Sequence, residues 1–197
     1  RNAREFIDFP KYAVSEEGCM LINDRIGYID AAQFSNEQGR RIMNVLKNTE
    51  AIIIDLRRYP SDFMSFAFLG KYFAPYAINH VIFTHPVYSL PGCFREDRPA
   101  IGHDNPDYYR GAVIALVDGN TISQAEYTAI TVQALPRGLT VGSTTLGADG
   151  NIAEIPLPGG YKTLISSLGV YYPDGSETQR CGVRIDHRAA PTPDGLL

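Results

Sequence analysis

The chain predicts an α/β layered domain in which helices cover a largely parallel sheet. Three observations carry this. Short apolar, β-branched runs, AIIIDL over Ala51–Leu56 and AVIALV over Ala112–Val117, read as strands buried on both faces. Helix-compatible stretches alternate with such runs, the order that parallel strands and their crossovers require. The length of 197 residues suits one domain with a two- or three-layer core.

Residues 1–18 have no clear period and read as a lead-in, with the domain expected over 19–197. Cys19–Asn23 and Ile26–Asp30 are predicted strands around the turn Asp24-Arg25. Ser35-x-x-Gln38 is a capping-box pattern, opening a helix to about Lys47 with Ile42, Val45 and Leu46 on one face. The Ala51–Leu56 strand is broken by Arg57-Arg58-Tyr59-Pro60-Ser61. An apolar helix over Asp62–Phe73 and a short strand over Ile78–Phe83 follow. Pro86–Arg110, rich in Pro, Gly, Tyr and charge, reads as an irregular loop of a length usually tied to function or motion. After the Ala112–Val117 strand, Asp118-Gly119-Asn120 is turn chemistry, leading to a helix over Thr121–Leu135 and a strand over Leu139–Gly142. Lys162–Tyr172 is a final strand or hairpin arm before the turn Pro173-Asp174-Gly175.

Hydrophobic content of 44% and charged content of 20% are those of an ordinary globular domain, so no disordered or fibrous class is indicated. A net charge of −4 without a Lys/Arg-rich block argues against nucleic acid as a partner. No apolar run reaches the length of a membrane span, and no signal peptide is recognisable. A start at Arg1 rather than Met is expected of a processed terminus or of a piece of a longer protein. Cys19, Cys93 and Cys181 lie far apart with no CxxC pair, so neither a zinc site nor a disulfide framework is expected, and each reads as buried filler. The GADGN loop lacks a GK[ST] ending and reads as a tight turn, not a phosphate cradle; no cofactor or metal is expected.

Sites in open α/β sheets gather at the carboxyl ends of strands. Two turns lie there, Asp55–Ser61 and Asp118–Ser123. Ser123 falls where a helix starts directly after a buried strand. First-turn N–H groups have no intrahelical partner and the helix dipole favours negative charge, so an oxyanion formed by attack of Ser123 on a carbonyl would meet ready donors. The competing reading is that Thr121 or Ser123 only caps the helix. The local pattern S-x-A-E does not separate the two.

Four segments, taken in order, do more. IIIDLRRYPS is similar to a strand and turn written D-L-R-x-N-P-G-G; LVDGNTISQAE to a nucleophile segment with S-x-[SA]-E; LTVGSTTLGADGN to the strand and glycine-rich loop that follow; and GVRIDHRAAPTPDG to a closing G-[IV]-x-P-D-x-x-[VA]-x-P-T. Together, over roughly Gly27 to Gly195, the chain resembles the catalytic domain of the S41 serine peptidases, the C-terminal-processing and tricorn-core proteases. The resemblance implies a ClpP/crotonase-like fold, Ser123 as nucleophile, and the Gln124 N–H as one oxyanion donor. It implies a second donor from the turn after the DLR strand, where the family has a glycine pair and this chain has Pro60-Ser61-Asp62, and there the Ser61 N–H is the expected donor. Glu126 takes the position of a site-orienting glutamate; a solvated helix residue is the alternative.

The base is where the chain departs from the family pattern. A serine hydroxyl needs a group to take its proton. The position of the lysine used by one branch is Ala148, beside Asp149, and no lysine lies between Lys71 and Lys162. The other branch takes a histidine from a region ahead of a PDZ-like domain, so the chain is expected to be a C-terminal catalytic half whose base and PDZ-like domain lie upstream. Of its own histidines, His80 reads as structural, His85 as the one nearest a strand end, His103 as a loop residue and His187 as surface; none is expected as the base. The implied function is a serine endopeptidase acting on peptide or protein substrates through an acyl-enzyme. The alternative is a catalytically inactive S41-like module binding peptides or hydrophobic ligands, as the interphotoreceptor retinoid-binding modules do. The missing lysine and glycine pair and the aromatics Tyr88, Phe94, Tyr108 and Tyr109 motivate it. Acyl-CoA chemistry rests on fold analogy alone. A bacterial periplasmic or cell-envelope location is suggested by the resemblance only.

Overall fold

A computed structural model describes residues 18–189, so the lead-in, except Gly18, and the end of the closing motif lie outside the described residues. Its elements in chain order are β1 (Cys19–Asn23), β2 (Ile26–Asp30), α1 (Gly39–Leu46), β3 (Ala51–Asp55), β4 (Ile78–Asn79), β5 (Ile82–Pro86), β6 (Phe94–Asp97), β7 (Ala100–Ile101), β8 (Ala112–Val117), α2 (Gln124–Ala134), β9 (Gly138–Gly142), β10 (Ile152–Pro156), β11 (Lys162–Ser166), β12 (Gly169–Tyr171) and β13 (His187–Arg188).

Six strands form one sheet in the order β1-β2-β3-β8-β9-β13. β1 and β2 make an antiparallel hairpin, and every other neighbouring pair is parallel. Asn23 builds the hairpin turn, its side-chain oxygen accepting the N–H groups of Arg25 and Ile26. The apolar runs do form central strands, but not strands buried on both faces: Ile52, Ile54, Val113, Ala115 and Val117 are buried in one contiguous core, while the alternate Ile53, Ile114 and Leu116 are only partly buried. Each fully buried branched side chain contributes about 1.5–3 kcal/mol. The helix α2 packs against β8 and β9 and is buried along Ala125–Val132, including the polar side chains of Glu126, Thr128 and Thr131, so it shows no amphipathic stripe. No described helix is long and apolar enough to cross a membrane.

The register brings the carboxyl ends of the central strands level. Asp30 pairs with Asp55, Asp55 with Leu116, and Val117 with Gly142. Gly142 is required there: its φ is +139°, and a Cβ would lie 1.8 Å from the Val117 carbonyl oxygen.

Several expectations are corrected. Ser35 caps a short 3₁₀ turn, accepting the Glu37 N–H at 3.3 Å, and the α-helix begins only at Gly39. On that helix Met43 joins Ile42 and Leu46 in the core, while Val45 is exposed. The Asp62–Phe73 segment is helical over a shorter span, with a wide π-type turn at Ser65–Gly70. Ile78–Phe83 is two strands rather than one, because β4 pairs with β7 while β5 pairs with β6 and β12 in another sheet, and Lys162–Tyr172 is likewise split between β11 and β12. The Pro86–Arg110 loop carries β6 and β7, and β6 joins β5 and β12 in a second, antiparallel sheet. Cys93 and Cys181 are exposed; only Cys19 is buried filler.

Candidate active site

The turn after β8 is assembled by short polar side chains. Asp118 accepts the Asn120 N–H at 2.8 Å, and the Thr121 hydroxyl accepts the Asp118 N–H while donating to the Leu56 carbonyl, both at 3.0 Å. That last bond ties the turn after β8 to the end of β3. Thr121 is therefore a turn-builder, and α2 starts three residues later than Thr121, at Gln124.

Ser123 sits directly before that helix with φ 54° and ψ −121°. For a residue with a Cβ this is a sparsely populated conformation costing about 1–3 kcal/mol, so the surroundings must enforce it. The Ser123 N–H donates to the Ala148 carbonyl at 3.0 Å and to Glu126 Oε2 at 3.2 Å, and the Ser123 carbonyl accepts the Tyr127 N–H at 2.9 Å. Glu126 is only 1% exposed, which overturns the solvated-helix reading. Its Oε1 accepts the Thr145 hydroxyl at 2.6 Å and the Gly147 N–H at 2.8 Å; its Oε2 also accepts the Ala148 N–H at 2.9 Å. Four donors and no acceptor face this side chain, the set that suits a carboxylate. One buried glutamate thus clamps the Ser123 backbone and the Thr145–Ala148 loop together.

The Gln124 N–H, first of the helix, has no hydrogen-bond partner among the described residues and is available to an anion. The Gln124 side chain donates to the Asp62 carbonyl at 2.8 Å, bringing the turn after β3 against the start of α2. Ser61 is placed there but differently from expectation. Its N–H donates to the Ala31 carbonyl at 3.0 Å and its hydroxyl to the carbonyls of Phe34 and Ala31. Ser61 therefore anchors the turn to the β2 end, and its N–H is not free for an oxyanion. The next N–H, that of Asp62, has no partner among the described residues.

The DLR segment is an ion-pair cluster. Burial pushes the Asp55 carboxyl up, but the Arg57 guanidinium and N–H and the Tyr28 hydroxyl outweigh it and hold the group below the ordinary carboxylate range. Asp149, one residue past the Ala148 carbonyl that holds Ser123, is the opposite case. It is 6% exposed, its Oδ1 accepts only the Gly150 N–H at 2.7 Å, and its buried Oδ2 has no partner. Burial, with the nearby Glu126 adding to it, pushes this carboxyl up to about 7. The sequence carried no signal for this, since a charged residue in a glycine-rich loop is normally solvated.

Among the described residues no histidine, lysine or carboxylate hydrogen-bonds the Ser123 hydroxyl. His80 is fully buried, as its strand-like context predicts, with Nε2 2.7 Å from the Tyr127 hydroxyl, and burial pulls its imidazole down to about 4. His85 lies on β5 against Phe83, and His103 and His187 are exposed. The described residues contain no group of three or more His, Cys, Asp or Glu side chains arranged to hold a metal ion.

A cavity of about 470 Å³ opens beside Ser123 and Gln124. Its aromatic walls are Tyr59, Phe63, Phe66, Phe83 and Tyr127. The aromatics of the Pro86–Arg110 segment are elsewhere: Tyr109 is in the core, bonded to Thr49, Tyr108 lies under Arg110, and Tyr88 and Phe94 border a separate cavity beside β11 and β12.

The family model described as "Peptidase family S41" matches residues 78–189, more than half of the chain. No curated protein matches. Among solved structures, the fold is similar to a Parabacteroides merdae protein described as a candidate peptidase (TM-score 0.74, 17% identity, 88% of this chain and 57% of that one). It is similar to mature CPAF (TM-score 0.67, 15% identity, 87% and 48%) and to the photosystem II D1 C-terminal processing protease (TM-score 0.57, 15% identity, 87% and 45%). The chain spans about half the length of these structures. With a family match over this extent, and a strained serine at a helix start in the segment that carries the match, the chain belongs to peptidase family S41.

Proposed function

We propose that the chain is the catalytic part of a serine endopeptidase that cleaves peptide bonds through an acyl-enzyme on Ser123. The observation that carries this reading is the φ 54° conformation of Ser123 at the start of α2, held by a buried glutamate with four donors. Ser123 is also the N-cap of α2, its N–H donating to Glu126 in a capping box, but N-caps ordinarily adopt extended backbone and φ 54° departs from that. In the proposed step Ser123 Oγ adds to the scissile carbonyl, and the oxyanion is met by the Gln124 N–H and the helix dipole. The Asp62 N–H, at the second position of the replaced glycine pair, takes the role expected of Ser61. The C–N bond then breaks with a proton passing to the amine, and water hydrolyses the ester. Glu126 is a positioning residue: it touches no substrate atom and fixes the backbone that presents Ser123. The general base comes from a part of the protein outside the described residues, in a region ahead of a PDZ-like domain.

A fluorophosphonate probe on the full-length protein tests this. Stoichiometric labelling that is lost in Ser123→Ala is the expected result. An unlabelled wild type, or labelling that survives the substitution, overturns the reading. Saturable binding of an apolar ligand without any labelling would favour the inactive binding module.

A further inference from the structure

The parallel strands begin at the end of the sheet opposite Ser123, about one strand length (17–20 Å) away. Arg25 precedes β2, Glu50 precedes β3, Arg110 lies two residues before β8 and Arg137 precedes β9, so the strand order sets them in one row. They line a cavity of about 620 Å³. Arg110 also lines a second cavity, of about 500 Å³, with Arg40, Lys47 and Lys71. Arg40 and Lys47 are seven residues apart along α1 and its cap, which places them on one face. Because they share Arg110, the two cavities form one groove with six cations.

Five of these cations are positioned without being neutralised. Arg137 Nη1 donates to the Arg110 carbonyl at 3.2 Å, and Arg110 Nη2 to the Pro106 carbonyl at 2.9 Å. The Arg110 guanidinium lies 4.7 Å from the Tyr108 ring centre, and Lys71 Nζ 5.1 Å from that of Tyr72. Carbonyls and ring faces orient a cation but leave its charge in place. Two carboxylates line the groove: Glu50, taken up by Arg25 in a bidentate pair at 2.6 and 2.8 Å, and Asp107. Arg40, Lys47, Lys71, Arg110 and Arg137 have no ion-pair partner among the described residues. Positive charge is thus concentrated at one end of a chain whose net charge is −4. Repulsion among these groups costs stability, and negative charge from outside relieves it.

We infer that this groove docks an acidic stretch of a partner polypeptide, an extended run carrying several Asp or Glu residues. Charge complementarity sets the sign of the partner. The cations are spread over two adjoining cavities, more than one small anion can span. A membrane surface is a poor match, because the groove is concave and no exposed large apolar side chain lines it to enter lipid. A long nucleic acid would run past the groove onto the remainder of the molecule, which the net charge of −4 makes acidic. The inference does not depend on the chemistry at Ser123.

The test is fluorescence anisotropy of a dye-labelled octaglutamate peptide titrated with the full-length protein, with octalysine for comparison. Saturable binding of octaglutamate and none of octalysine is expected. The binding should weaken at least about tenfold between about 0.05 and 0.5 M salt, as screened charge contacts do. Lys71→Glu combined with Arg110→Glu should weaken it at least about tenfold at the lower salt. Should that variant not fold, Arg40→Glu combined with Lys47→Glu, both exposed, replaces it. Lys162→Glu reverses a charge on the distant β11 and should change the affinity by less than about twofold. No octaglutamate binding at low salt, or an equal loss in Lys162→Glu, overturns the inference. So does tighter binding to a thymidine oligonucleotide, or to phosphatidylcholine vesicles containing about one third phosphatidylserine, than to octaglutamate.

Discussion

Glu126→Gln is expected to lower the melting temperature by roughly 6–20 °C and to abolish fluorophosphonate labelling of Ser123. The change is nearly isosteric, so packing is not the cause. Glu126 accepts the Thr145 hydroxyl and Gly147 N–H on one oxygen and the Ala148 and Ser123 N–H groups on the other. A glutamine must set its NH₂ against one of these pairs. Both orientations face donors with a donor, in a place with 1% exposure where water cannot substitute. Each buried donor left without an acceptor costs about 1–3 kcal/mol, and the Ser123 backbone loses one of the bonds that hold its costly conformation. A total of roughly 3–5 kcal/mol is a large share of an ordinary domain's stability. At about 2–4 °C per kcal/mol for a domain of this size, the melting shift follows. Differential scanning calorimetry checks it. A shift below about 2 °C with labelling intact would show that the glutamate does not hold the serine.

The second large effect is a stability difference that changes with pH between wild type and Asp149→Asn. The Asp149 carboxyl is pushed from its ordinary 3.8 up to about 7, chiefly by burial. Between about pH 4 and 7 the native chain therefore keeps a proton that the unfolded chain has released, and this group's contribution to stability falls as pH rises through that window. His80 acts in the opposite direction. Burial lowers it from 6.5 to about 4, so the unfolded chain takes up a proton that the native chain refuses, and stability is lost as pH falls from about 6.5 to 4. The two slopes largely offset each other in wild type over pH 4 to 6.5. Asparagine removes only the first, so the variant should gain more stability than wild type as pH rises. A shift of this size corresponds to at most about 4 kcal/mol, and about 2–4 kcal/mol of relative gain from pH 4 to 7.5 is expected. Urea denaturation at several pH values measures it; parallel curves for the two proteins would remove Asp149 as a buried proton holder. His80→Phe should show the mirror image, declining over the same interval.

Legibility followed burial. The strands β3 and β8 were readable because each is an apolar run with one face in the core, and α2 because its turn and helix signals are local. β6 was not, since Phe94-Arg95-Glu96-Asp97 is exposed along its whole length and shows no alternation. β10 and β13 were missed for the same reason: their residues are largely exposed, and only pairing with a distant strand makes them strands. At the site, the serine and its helix were legible, but the aromatic cavity was not. Its rings lie near positions 59–66, 83 and 127, and no spacing in the chain links them.

The amino-acid order by itself determined the layered α/β plan, the two turns at the carboxyl ends of β3 and β8, and Ser123 with its neighbouring Gln124 N–H, because buried runs, turn residues and helix starts are properties of a few adjacent residues. Only the tertiary structure decided that Glu126 is a buried clamp, that the Ser61 N–H belongs to Ala31, that burial raises the Asp149 carboxyl, and that five rings converge beside Ser123. Those outcomes depend on which distant groups share a donor, an acceptor or a dry space, and that is fixed when the chain packs.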